Sequence, residues 1–67
     1  MTTAEIRTRL DSLAEERAAA LAWGADRIPA YLDDLQREID HYSGAYVGAA
    51  VTEIASLRAA LSGPQVG

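Results

Sequence analysis

From Ile28 onward, the apolar residues Ile28, Leu32, Leu35, Ile39, Tyr42, Tyr46, Ala50, Ile54, Leu57 and Leu61 follow one another at steps of three or four without a miss. That is the repeat of one face of an α-helix, and it leaves no stretch of the two-residue alternation that a half-buried strand needs. One helix over about residues 29–61 is therefore expected, roughly 50 Å long at 1.5 Å rise per residue. Ser62, Gly63 and Pro64 end it, and residues 63–67 read as a disordered tail.

The segment before this series is shorter. Thr2 with Glu5 three positions on forms a capping box, and Met1 with Ile6 occupies the hydrophobic-staple positions, so a first helix starts close to residue 3. Its stripe, Ile6, Leu10, Leu13, Arg17 or Ala18, and Leu21, is narrow and Ala-rich. Glu5 and Arg9 have the spacing of an i,i+4 pair. Gly24 follows Trp23 where a helix C-terminus is expected, Asp26 is placed to cap the next helix, and Pro29 is tolerated in that helix's first turn. A turn over 24–28 is too short for anything except antiparallel neighbours. Trp23 is expected to plug the end of the core.

The fold class is thus all-α: an antiparallel helical hairpin in a single domain over residues 1–62, with helix one about 3–23 and a long, continuous or kinked helix two about 29–61. Helix one is only about 30 Å long, so the far end of helix two outruns it. The alternative is a three-helix bundle with a break at Ser43-Gly44, because the apolar centres of residues 28–42 and 46–61 lie roughly 80° apart on the helical projection. The continuous helix is preferred, since the spacing keeps its step and a reversal needs a longer polar connection than Ser43-Gly44 offers. Gly44 and Gly48, flanked by Ala45 and Ala49, form a small-residue ridge suited to close helix packing; the plainer reading is reduced bulk beside a kink.

Composition turns this shape into an expectation about partners. The chain has 67 residues and is 49% hydrophobic, but it has no Phe, a single Trp and no Cys. A lone chain of this size gains little more from burial than ordering it costs, and disulfides and thiolate metal sites are excluded. Self-association remains, as a homodimer or larger, with another helical protein as the other candidate partner. The predicted interface is Tyr42, Tyr46, Val47, Ala50, Val51, Ile54, Leu57 and Leu61, the surface that helix one cannot reach. Glu53 falls near this seam and needs an arginine such as Arg17 or Arg58, a rim position, or a kink.

Other functions find less support. Glu38-Ile39-Asp40-His41 resembles, over four residues, the Glu-x-x-His of ferritin-like di-iron proteins, which implies a metal-binding hairpin using Glu38 and His41 with Glu16 from helix one. Against this, His41 lies about 150° from the apolar stripe, on a polar face with Asp33, Asp34, Arg37 and Asp40, where Asp33 and Arg37 have favourable i,i+4 order. No phosphate loop or nucleophile constellation occurs, so an enzyme is not expected and no cofactor is assigned. Net charge is −4, with Arg7, Arg9, Arg17, Arg27, Arg37 and Arg58 dispersed among acids, which argues against nucleic-acid binding. Neither a secretory leader nor an apolar run of membrane-spanning length is visible, so no membrane role is expected. The expected product is a small helical interaction or structural subunit, intracellular or within an assembled particle such as a phage virion; the alternatives are the metal-binding hairpin and a monomeric three-helix adaptor for one protein partner.

Overall fold

The structure, a computed structural model, describes residues 1–63. The N-terminal signals act as the sequence indicates: Thr2 is the N-cap of helix α1 (Thr3–Ala22), its hydroxyl accepting from the Glu5 amide while the Glu5 carboxylate accepts from the Thr2 amide. Those two bonds hold Glu5 ionised, so its carboxyl lies below the ordinary carboxylate range, with the backbone bond to Thr2 as the larger cause. Met1 remains exposed beside this cap.

After Trp23 the chain turns at Gly24, whose φ of +87° is open to glycine at little cost and strained for residues with a Cβ. A single 3-10 turn follows over Ala25–Arg27, closed by the Ile28 amide donating to the Ala25 carbonyl at 2.8 Å. Helix α2 (Pro29–Ser62) then begins with Pro at its first position, where a missing N–H costs nothing. Its N-cap is Ile28 and receives no side-chain bond, so Asp26 does not cap it, contrary to expectation. The intervening 3-10 turn puts Asp26 outside the capping position. The Gly63 amide closes the far end by donating to the Ala59 carbonyl.

α2 passes through Ser43 and Gly44 unbroken, which overturns the three-helix alternative: the described chain is a two-helix antiparallel hairpin. Cross-helix pairs fix the register. Glu16 meets Tyr31 near the turn, Arg9 meets Glu38 further along, and Thr3 meets Glu53 at the open end. The core is thin. Ile6, Leu13 and Leu35 are the buried apolar residues among those described, flanked by half-buried Leu10, Leu32, Ile39, Tyr42 and Tyr46. Trp23 does not plug its end: it is 90% exposed, because as the C-cap residue it lies beyond the last helical turn and off the stripe. The molecule measures 65 × 16 × 15 Å: α2, about 51 Å at 1.5 Å per residue, supplies most of the long dimension and two helices side by side set the others.

Two local charge expectations also change. Arg9 reaches across the hairpin to Glu38 and lies 5.9 Å from the centre of the Tyr42 ring instead of pairing with Glu5. The Glu38 hydrogen bond, then its charge, raises the Arg9 pKa further above its ordinary value. Arg37 pairs with Asp34 rather than Asp33, one turn earlier on its own helix. The expected tail over 63–67 falls outside the described residues from Pro64 on.

Candidate helix-docking face

α2 carries two apolar stripes, and the change from one to the other is built into the residue spacing. Leu32, Leu35, Ile39, Tyr42 and Tyr46 alternate steps of three and four and lie against α1. Continuing that alternation gives Ala49, Glu53, Ser56 and Ala60, which are small or polar. The stripe facing α1 therefore loses its large apolar side chains where α1 ends. A second stripe, Val47, Ala50, Ile54, Leu57 and Leu61, starts one residue over, about 100° around the helix at 3.6 residues per turn.

Apart from Ala50, which is half-buried, the second stripe is uncovered among the described residues. Val47, Val51, Ile54, Leu57 and Leu61 are between 52% and 78% exposed, and every described residue from 51 onward is exposed. Single exposed apolar residues are ordinary on protein surfaces, whereas these form a contiguous helical stripe. Of the predicted interface, Tyr42, Tyr46 and Ala50 are half-buried, the two tyrosines in the stripe facing α1 and Ala50 at the border of the two stripes; the remaining members are open.

Glu53 occupies a rim position, where it accepts a hydrogen bond from the Thr3 hydroxyl, rather than a buried one paired with Arg17 or Arg58. The Thr3 partner had no signature in the sequence, because it depends on how far α1 overlaps α2. Gly44 and Gly48 are exposed, and a Cβ added to either meets nothing within 4 Å. Neither glycine allows a close helix crossing inside the chain.

The metal-ligand set does not assemble. Glu16 accepts from the Tyr31 hydroxyl at 2.9 Å, Glu38 is taken by Arg9, and His41 is exposed with its ring edge-on to Tyr42 at 5.3 Å between centroids. The Glu16 bond, its largest cause, raises the Tyr31 pKa above its ordinary value. Among the described residues no group of three His, Asp or Glu side chains lies close enough to hold an ion. Nor is any helix over those residues long and apolar enough to cross a membrane.

Comparison of the chain with protein-family models, with curated proteins and with solved structures gives no match, so its functional class has to be argued from these faces and residues.

Proposed function

We propose that the chain is a small helical interaction subunit that associates with its own copies through the far half of α2. One observation carries the reading: Val47, Ile54, Leu57 and Leu61 of the second stripe are exposed, while the stripe that α1 does face turns small or polar beyond Tyr46. Covering those side chains supplies the apolar burial that a core of Ile6, Leu13 and Leu35 leaves small. Catalysis has no part in this reading.

Light scattering coupled to size exclusion tests it on the full chain. Self-association gives a mass at least about twice the 7.1 kDa of one chain, falling on dilution. A mass of one chain at every concentration into the millimolar range contradicts it, and the stripe then belongs to a different protein.

A further inference from the structure

The order of residues along the exposed stripe points to the orientation of the partner copy, and this inference rests on the self-association proposed above. Written as a heptad, the stripe places Val47, Ile54 and Leu61 at the a positions and Ala50 and Leu57 at d. Tyr46 and Glu53 are then at g, Val51 and Arg58 at e. Within a parallel coiled coil, β-branched residues at a, here Val47 and Ile54, with leucine at d, here Leu57, favour two strands over three or four, so the orientation itself is argued from the flanking residues. In a parallel pair in register, each g residue lies beside the partner's e residue five positions further on. Glu53 then meets the partner's Arg58, and Tyr46 meets the partner's Val51.

Antiparallel pairs bring g against g and e against e. Layering Ile54 on the partner's Ala50 sets Glu53 near the partner's Glu53, while layering Ile54 on the partner's Leu57 sets Glu53 near Ala60 and Arg58 near Val51. Neither joins Glu53 to Arg58. We infer that two copies pair in parallel through residues 47–61 of α2, with Glu53 and Arg58 forming reciprocal ion pairs on both flanks of the seam.

The rest of the hairpin fits this arrangement. α1 lies on the face of Leu35, Ile39, Tyr42 and Tyr46, about 70° around α2 from the seam, so the two-fold relation of a parallel pair sets the two first helices on opposite sides of it. Thr3 engages Oε1 of Glu53, and a carboxylate offers a second oxygen to an arginine. Upstream, the same a and d positions hold Asp33, Gln36, Asp40 and Ser43. Asp40 opposite the partner's Asp40 is repulsive, so the seam begins at Val47 and the hairpin ends diverge.

The chain contains no Cys, so single introduced cysteines report geometry directly. Val47→Cys and Leu61→Cys, made separately, lie about 21 Å apart along the helix, and a parallel pair brings each next to its own counterpart. Both variants are expected to form disulfide-linked dimers under mild oxidation, whereas Asp33→Cys does not. Disulfides that form only when Val47→Cys is mixed with Leu57→Cys, its neighbour when Ile54 layers on the partner's Ala50, or a dimer in which neither Val47→Cys nor Leu61→Cys links to itself, overturn the parallel pairing and leave self-association standing. A chain that is monomeric by light scattering removes both. Independently, Glu53→Arg raises the dissociation constant roughly three- to tenfold, and adding Arg58→Glu restores it. Failure of the double variant to recover also overturns the ion pairs, since a role confined to the Thr3 contact is not rescued at residue 58.

Discussion

The two halves of α2 have the same backbone and nearly the same share of apolar residues, but they stand in different surroundings. From Pro29 to about Ala50 the helix has α1 alongside, and its inward residues, Leu35 foremost, are covered. From Val51 to Ser62 the inward positions carry Glu53, Ser56 and Ala60, while the large side chains have moved one residue around to a face in solvent. Had the far half merely been an overhang, the stripe would be expected to fade or to continue in line. Instead it is re-aimed. A 34-residue helix beside a 20-residue one is long enough for two partners in succession, and the change of phase says where the first stops.

Substitutions that separate the halves test this contrast. The largest effect belongs in the covered half: Leu13→Ala, at the one fully buried side chain, is expected to cost about 3 kcal/mol, enough to unfold much of the population in thermal or urea melts. Its effect persists at low concentration. Leu57→Asp should act in the opposite way, raising the dissociation constant more than about tenfold by placing a charge in the seam, while the circular dichroism of the dilute monomer stays close to that of the parent. If Leu57→Asp unfolds the dilute monomer, the far half is not independent of the near one.

Smaller changes sharpen the picture. Thr2→Ala removes the α1 cap and is expected to cost about 1 kcal/mol in melts. Because Glu5 has a lowered pKa, its share of the cap is present above the ordinary carboxylate pKa of 4.5 and is lost as pH falls through the lowered value. Acid titration of the melting temperature should therefore show a smaller decline in Glu5→Gln, which cannot ionise at that position. Gly44→Ala and Gly48→Ala are expected to stabilise α2 by about 0.5–1 kcal/mol each, since an added methyl meets nothing. Loss of association in either variant would mean that a partner helix presses on those glycines.

Much of the hairpin is legible from local rules. The Thr2–Glu5 box, Gly24 and Pro29 mark helix ends because capping depends on a few adjacent residues, and the observed bounds fall within a residue of those expected. What depends on the meeting of the helices is not legible. Arg9 has an acid at i−4, so local pairing points to Glu5, yet Glu5 is committed to the cap and the register brings Glu38 across. Trp23 reads as core by its chemistry, and its exposure follows from where α1's last turn ends. The exposed stripe lies between these cases: the rotation past residue 43 is visible in the spacing, but its exposure emerges only once the hairpin register, with Thr3 meeting Glu53 at the open end, leaves every described residue from 51 onward exposed.

Residue-resolved amide hydrogen exchange, measured at several protein concentrations, tests most directly whether the far half of α2 is covered by another copy. Protection over residues 51–62 should rise with concentration as chains pair, while protection around Leu13 and Leu35 changes far less. Exchange over residues 51–62 that stays fast and independent of concentration would contradict the account.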